Sequence, residues 1–181
     1  MKVLVVCTGN ICRSPMAEAL LKHKLAERGC TDVEVASAGT WADYGSRATP
    51  EALQVLAERG IHFEDHKARP VELEELEEAD LVIAMTSVHV RELKAMADAV
   101  GTKLLLMKEI VEMEVGESSP GDPTARLANL LQGKRPEPRR ALDVDDPMGL
   151  PVGAYQRAAG EIEKGVDRLV DLLCGPPQAS G

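Results

Sequence analysis

The stretch Cys7–Ser14, which reads CTGNICRS, decides the fold of this chain. It follows an apolar run, Val3–Val6, that is typical of a buried strand. It precedes Pro15, a residue favoured in the first turn of a helix, and the amphipathic segment that continues from it. The stretch therefore joins the carboxyl end of a strand to the amino end of a helix. The N–H groups of such a loop point inward, and together with the helix dipole they make a site for a phosphate-sized anion.

Strand-like and helix-like segments alternate along the rest of the chain. The pattern predicts strands over Lys2–Val6, Val33–Ala36, Leu81–Met85 and Lys103–Met107, and helices over Pro15–Arg28, Thr49–Gly60, Leu73–Glu78, Thr86–Val100, Thr124–Leu131 and Ala154–Leu173. This alternation indicates an α/β fold with a parallel sheet between two layers of helices. Ligands bind outside the carboxyl ends of strands in such sheets, and Cys7 lies at one of those ends.

The length of 181 residues fits one domain. We expect the domain to span residues 1–174, with a proline-containing surface insertion over about residues 114–142 and a flexible tail over residues 175–181. A basic cluster lies at the end of this insertion, and a solvated loop is favoured over a substrate-docking flap.

Composition limits the partners that we expect. The net charge of −9 argues against nucleic acid and against an anionic membrane surface. No apolar run is long enough to span a membrane, and the amino end is too short for a signal peptide, so the expected location is the cytoplasm. A monomer is the default, since the sequence leaves the oligomeric state open. The spacing of the four cysteines indicates no disulfide framework, and Cys30 and Cys174 carry no signal of a partner.

The residue types in the first loop indicate nucleophilic chemistry on phosphorus. Inward N–H groups, a helix amino end and a nearby cation all favour a thiolate at Cys7. The planar guanidinium of Arg13 can hold two phosphate oxygens at once, which a lysine cannot do. The hydroxyl of Ser14 can donate to the thiolate and help it to leave. Gly9 gives the turn freedom, and Asn10 tolerates the left-handed backbone region.

A proton donor is needed for the leaving group, and Asp146, followed by Pro147, is the candidate. We expect this residue to act first as an acid and then as the base that activates water. Replacing Asp146 with alanine should then lower turnover strongly while phosphate still binds. The alternative interpretation of Cys7, a small buried apolar residue, is weaker because Arg13, Ser14 and the downstream Asp-Pro accompany it.

These motifs closely resemble those of the low-molecular-weight protein tyrosine phosphatases. The resemblance rests on Cys7–Pro15, Ser37–Thr40, His66–Arg69, Ala79–Val82 and Asp146–Pro147, and it covers residues 1 to about 173 apart from the insertion. It implies a single-domain, three-layer sandwich with a central four-stranded parallel sheet and helices on both faces. It also implies a phosphorylated protein as the substrate and a phosphocysteine intermediate.

The resemblance also implies a role for each site residue. Cys7 is then the nucleophile, Arg13 the phosphate clamp and Asp146 the general acid. The phosphate-binding positions are Thr8, Gly9, Asn10, Ile11, Cys12 and Arg13, and the supporting network is Asn10, Ser14, Ser37 and His66. Cys12 is either a resolving thiol that traps an oxidised Cys7 as a disulfide or a small packing residue. The expected substrate wall is Ile11, Trp41 and Met148.

The substrate has two candidates. Many tyrosine-specific members carry aromatic residues after Asp-Pro, where this chain has Met148. Related bacterial enzymes that act on phosphoarginine resemble this chain at Ala84–Thr86 and at Lys108–Glu109, but they carry threonine at the position of Ile11. Since isoleucine suits a phenyl ring, phosphotyrosine is the favoured substrate and phosphoarginine is the alternative.

Other classes are less favoured. An arsenate reductase needs a distal cysteine pair, and no cysteine lies between Cys30 and Cys174. A phosphate-binding module without catalysis would need neither Cys7 nor Asp146. No metal or organic cofactor is expected, because His62 and His66 lack further ligands. His23 and His89 are interpreted as surface residues.

Overall fold

The chain folds around a four-stranded parallel sheet with the strand order β2-β1-β3-β4. The computed structural model describes residues 1–113, 123–132 and 139–175, except for the side chain of residue 130. The strands are β1 (Lys2–Cys7), β2 (Glu34–Gly39), β3 (Leu81–Ala84) and β4 (Leu104–Leu106). The helices are α1 (Arg13–Glu27), α2 (Pro50–Ala57), α3 (Leu73–Glu78), α4 (Ser87–Met96), α5 (Met107–Val111), α6 (Pro123–Leu131) and α7 (Val152–Cys174).

Alternation along β1 divides the core into two apolar layers. Val3, Val5 and Cys7 face one layer, which helices α1, α2, α5 and α7 cover, and Leu4 and Val6 face the other, which α3 and α4 cover. Every residue from Val3 to Cys7 is buried, as expected for a central parallel strand with helices on both sides. The predicted three-layer α/β architecture is confirmed.

Strand β2 continues further than the sequence predicts. The expected strand ended at Ala36, but the ladder to β1 runs on to the pair Cys7–Gly39. The segment Ser37–Gly39, which lies beyond the predicted strand, is therefore beside the end of β1. This extension brings the side chain of Ser37 next to the loop that follows Cys7.

The helix after β3 is shorter than predicted. Instead of running to Val100, α4 ends at Met96, and a 3-10 turn covers Asp98–Thr102. The two segments turn so that Val100 and Leu93 enter the same apolar layer. Helix α5, which follows β4 directly, has no counterpart in the predicted elements.

Much of the predicted insertion over residues 114–142 lies outside the described residues. The helix predicted at Thr124–Leu131 is confirmed as α6, and its Leu127 is buried in the apolar layer that α7 lines. Of the predicted tail, Gly175 alone is described.

A disulfide joins Cys30, just after α1, to Cys174, the last residue of α7. Cys30 and Cys174, which carry no signal of a partner in the sequence, are therefore partners of each other. The two lie 144 residues apart in sequence but have Cα atoms 6.2 Å apart, because α1 and α7 pack side by side. Such a pairing depends on tertiary packing, and spacing along the chain gives no sign of it.

Candidate active site

The loop between β1 and α1 is held from outside by its carbonyl groups. The carbonyl oxygens of Cys7 and Thr8 accept from the backbone N–H groups of Thr40 and Trp41, both at 2.9 Å, and Ile11 O accepts from Thr49 N at the same distance. Because C=O and N–H point in opposite directions in a trans peptide, the N–H groups that follow these carbonyls turn toward the inside of the loop. Inward N–H groups of this kind are what the predicted phosphate-binding loop requires.

Asn10 is the centre of a buried polar network beneath this loop. Its backbone has φ 52°, in the left-handed region that asparagine tolerates better than most residues. Its Nδ2 donates to Ser14 Oγ at 2.9 Å and to Ser37 Oγ at 2.8 Å. Its carbonyl oxygen accepts from the Nε2–H of His66 at 2.8 Å. The residues expected to support the loop are therefore in contact with one another.

The same network reaches the sulfur of Cys7. Ser14 Oγ lies 3.0 Å from Cys7 Sγ, and both residues are buried. Since Ser14 Oγ already accepts from Asn10, its own proton can be directed at the sulfur or at the carbonyl oxygen of Ala38, 3.4 Å away. At the far end, Ser37 Oγ donates to Glu18 Oε2 at 2.6 Å. Glu18 is not among the predicted site residues, because a glutamate within an amphipathic helix gives no sign that it is buried.

Arg13 lies at the first position of α1 and its side chain is almost fully buried. Its Nη1 donates to Val144 O at 3.2 Å, and its Nη2 donates to Asp146 Oδ2 at 2.7 Å. Its Nε is buried and has no hydrogen-bond partner among the residues that the structure describes. The guanidinium therefore has one donor, Nε, that is free for an incoming anion. Its Nη2 could also bind the anion by releasing the exposed carboxylate of Asp146.

Hydrogen bonds of Asp143 and Val144 hold the segment that carries Asp146 in place. Asp143 accepts from the backbone N–H and the hydroxyl of Ser87, at 2.6 and 3.1 Å, and so caps the first turn of α4. Val144 N donates at 2.9 Å to the carbonyl oxygen of Met85, the residue that follows β3. These contacts bring Asp146 to the edge of the sheet where Cys7 lies.

His89 is buried, so the interpretation of this residue as a surface histidine is wrong. Its Nδ1 lies 2.9 Å from Thr86 Oγ1, and its Nε2 lies 2.9 Å from Thr8 Oγ1 in the first loop. Burial, and then the charge of Arg13, lower the pKa of His89 from 6.5 to about 4. The imidazole is therefore neutral near pH 7. His89 is buried because the first turn of α4 packs against the first loop. The sequence of α4 alone does not indicate this packing.

Cys12 lies in a buried position on the other side of the loop. Its Sγ is 3.6 Å from Tyr155 Oη, 3.7 Å from Thr49 Oγ1 and 3.8 Å from Met148 Sδ. Burial raises the pKa of the Cys12 thiol, and burial also raises the pKa of Tyr155 to about 12. Both groups are protonated at neutral pH, so Cys12 differs chemically from a thiolate nucleophile.

A cavity of about 170 Å³ opens above the loop. It is lined by Cys7, Thr8, Gly9, Ile11, Cys12, Arg13, Asp146 and Met148. Two of the three expected wall residues, Ile11 and Met148, are among them. The third, Trp41, is 76% exposed and lies beside the loop, where its indole N–H donates to Glu92 at 3.1 Å.

Within the described ranges, no group of three or more His, Cys, Asp or Glu side chains could hold a metal ion. In the same part of the chain, no helix has the length and apolarity needed to cross a membrane.

This cavity, closed below by a strand-to-helix loop and bordered by Cys7, Arg13 and Asp146, lies outside the carboxyl end of a parallel strand, where α/β proteins bind their ligands. Residues 2–175 match the family described as low molecular weight phosphotyrosine protein phosphatase. The chain belongs to this family, as its sequence motifs led us to expect.

Relatives within the family carry two kinds of name. A protein-arginine-phosphatase of Bacillus subtilis is 34% identical over 173 residues, which is 96% of this chain and 97% of the relative. A probable low molecular weight protein-tyrosine-phosphatase, EpsP, of Ralstonia solanacearum is 33% identical over 171 residues, 94% of each chain. The solved low molecular weight protein tyrosine phosphatase of T. tengcongensis has a TM-score of 0.73 at 36% identity, covering 94% of this chain and 98% of that one.

Proposed function

We propose that this chain hydrolyses phosphotyrosine in proteins through a phosphocysteine intermediate. The observation that supports this most directly is that Cys7, Arg13 and Asp146 line one small cavity and that Arg13 and Asp146 are in contact. A nucleophile, a cation for the phosphate and a carboxyl group for proton transfer are the groups that the reaction requires.

In the first step, the Cys7 thiolate attacks phosphorus and an S–P bond forms as the P–O bond to the tyrosine breaks. Arg13 and the loop N–H groups hold the phosphate oxygens as their charge redistributes. Asp146, protonated at this stage, gives its proton to the leaving phenolate. Its side chain is 51% exposed and lies at the cavity edge, where a substrate would arrive.

In the second step, water attacks the phosphocysteine. Asp146, now a carboxylate, takes a proton from the water, and inorganic phosphate forms as the S–P bond breaks. The electron pair of that bond returns to the Cys7 sulfur, and the hydroxyl of Ser14, 3.0 Å away, can donate to the thiolate. The proposed steps involve no metal or organic cofactor, and we expect them to take place in the cytoplasm on phosphorylated proteins.

The wall of the cavity favours a phenyl ring. Ile11 and Met148 present apolar surface next to the phosphate position, and neither side chain offers an oxygen acceptor for a guanidinium group. Phosphoarginine hydrolysis by the same steps is the second candidate, because relatives that match nearly the whole chain are named for that activity.

The test measures phosphate release from a phosphotyrosyl peptide and a phosphoarginyl peptide of the same sequence. We expect faster release from the phosphotyrosyl peptide and none in Cys7→Ser. Faster release from phosphoarginine would favour the second candidate. Phosphate binding without release from either peptide would indicate a binding module.

A pair of variants tests whether the cavity wall sets this preference. Ile11→Thr is expected to narrow the preference for phosphotyrosine, because it replaces apolar surface at the phosphate position with a hydroxyl. Val111→Thr, at an exposed site on α5, is the matched control and should leave the preference unchanged. Equal preferences in Ile11→Thr and the control would mean that Ile11 does not select the substrate.

A further inference from the structure

A chain of three side chains runs from helix α4 to the first loop. Thr86 Oγ1, both ring nitrogens of His89 and Thr8 Oγ1 follow one another at distances of 2.9 Å. His89 is 2% exposed, whereas Thr8 is an exposed residue of the cavity lining. The only described side chains that contact the Thr8 hydroxyl are His89 and Arg13. A buried, rigid group therefore holds an exposed hydroxyl that would otherwise rotate freely.

The hydroxyl of Thr8 lies next to the guanidinium of Arg13. Arg13 Nη2 reaches Thr8 Oγ1 at 3.5 Å, in addition to its contact with Asp146. Arginine has donors only, so Thr8 must present a lone pair toward Nη2. Once a phosphate draws Arg13 away from Asp146, the remaining described contacts of its terminal nitrogens are Val144 O and Thr8 Oγ1.

The neutral ring of His89 can carry its proton on either nitrogen. Both tautomers leave a lone pair of Thr8 Oγ1 available to Arg13. With the proton on Nδ1, the ring donates to Thr86 and Thr8 donates to Nε2. With the proton on Nε2, the ring donates to Thr8, whose own proton is free to point into the cavity. In either arrangement the rotamer of Thr8 is set by His89, because Nε2 is 2.9 Å from its oxygen.

We propose that His89 is a positioning residue that fixes the Thr8 hydroxyl and, through it, the orientation of Arg13 for phosphate. His89 does not line the cavity, so it acts through Thr8 and not by contact with substrate. The inference deepens the proposed function and rests on the same cavity. It concerns phosphate binding, which can be measured whether or not the chain releases phosphate from a peptide.

The test uses pairs of variants that separate the two ring nitrogens. Glutamine places its amide where Nε2 lies, and asparagine places its amide where Nδ1 lies. The dissociation constant for inorganic phosphate is measured by calorimetry in wild type, His89→Gln, His89→Asn and Thr8→Val. We expect His89→Asn and Thr8→Val each to weaken phosphate binding about tenfold, and His89→Gln to stay within about threefold of wild type.

A double variant tests whether His89 acts through Thr8. We expect His89→Asn combined with Thr8→Val to bind phosphate no more weakly than either single variant, because both remove the same contact. Melting curves give the folded fraction of each sample, so that binding is expressed per folded molecule. Three results would each overturn the proposal: Thr8→Val binding phosphate like wild type, glutamine and asparagine having equal effects at equal folded fraction, or additive effects in the double variant. If wild type does not hydrolyse the peptides but the variants still bind phosphate as expected, the proposed function is wrong and the proposal about His89 stands.

Discussion

Arg13 Nη2 donates to Asp146 Oδ2 across 2.7 Å, so the proposed phosphate clamp and the proposed proton donor are paired with each other in the free protein. The side chain of Arg13 is 5% exposed and that of Asp146 is 51% exposed. The carboxylate of Asp146 is exposed and regains water when it leaves Arg13, and an arriving phosphate dianion keeps the buried guanidinium paired, so the exchange leaves no buried charge without a partner. The pair keeps Arg13 oriented without blocking the cavity.

This pairing predicts opposite effects of Asp146→Asn on binding and on turnover. We expect kcat to fall by about 10²- to 10⁴-fold, because the proton donor is lost. We expect the dissociation constant for inorganic phosphate to decrease by about two- to fivefold, because the anion no longer competes with a carboxylate for Arg13. Steady-state kinetics with a phosphotyrosyl peptide and calorimetry with phosphate measure the two quantities.

Asp145→Asn is the matched control, since Asp145 is the exposed neighbour of Asp146. It removes the same charge one residue away and should leave turnover within about twofold. Equal losses in both variants would mean that net charge, not proton transfer, is responsible. Weaker phosphate binding in Asp146→Asn would show that the carboxyl group helps to hold the anion.

The close packing around Gly39 predicts that any side chain at this position would weaken phosphate binding by steric overlap. A Cβ on this residue would overlap the carbonyl oxygen of Thr8 and would lie 2.9 Å from Ala42 Cβ and 3.0 Å from Asn10 N. Backbone atoms cannot move aside cheaply, so Gly39→Ala should displace the loop and weaken phosphate binding by at least about tenfold. Gly160→Ala in α7 is the control, because no atom of the described residues outside the local helix backbone lies within 4 Å of the added Cβ.

We expect Gly160→Ala to bind phosphate like wild type and to be more stable by about 0.5–1 kcal/mol, as for a glycine replaced within a helix. Calorimetry and urea unfolding measure both. Normal phosphate affinity in Gly39→Ala would mean that strand β2 can shift away from the loop, contrary to the tight register between Cys7 and Gly39.

The sequence predicts those parts of the molecule that depend on local pattern. Val3–Val6 indicates a buried strand because its apolar residues are contiguous, and Cys7 and Arg13 follow from their positions on either side of one loop. His89 and Glu18 could not be predicted in the same way. Each is buried by a segment distant in sequence, namely the first loop against α4 and Ser37 against α1. Burial of a polar side chain depends on tertiary packing, and the spacing of apolar residues along the sequence does not indicate it.

The disulfide between Cys30 and Cys174 predicts how many thiols are accessible to chemistry. Protein purified without reductant and then denatured should take up two maleimide groups, on Cys7 and Cys12, and four after reduction. Intact mass measures the count. Four labels in unreduced protein would show that the two cysteines are close but not bonded.

Reduction should also destabilise the fold, because the bond closes a long loop and links α1 to α7. A loss of about 2–4 kcal/mol is typical, and it corresponds to a lower melting temperature by about 5–15 °C. Cys30→Ser provides the control, since its melting temperature should not respond to reductant. An unchanged wild-type melting temperature on reduction would mean that helix packing alone joins the two ends.

The buried position of His89 predicts that stability depends on pH over a defined range. The pKa of this residue is about 4 in the folded protein, against 6.5 for a solvent-exposed histidine in an unfolded chain. Between these values the unfolded state binds more protons, so the free energy of unfolding falls as the pH falls from 6.5 to 4. The full effect is about 3 kcal/mol, and above pH 6.5 this contribution is constant.

Urea unfolding at pH 7.5, 6 and 5 measures this dependence in wild type and in His89→Gln. Carboxylates also titrate in this range in both proteins, so the slopes of the free energy of unfolding against pH are compared. The slope should be smaller in His89→Gln, which has no ring to protonate. The charges of Glu92, Asp143 and Asp146 oppose this shift in the pKa of His89, whereas burial and the charge of Arg13 cause it. Equal slopes in wild type and His89→Gln would mean that these carboxylates compensate fully and that His89 can accept a proton without loss of stability.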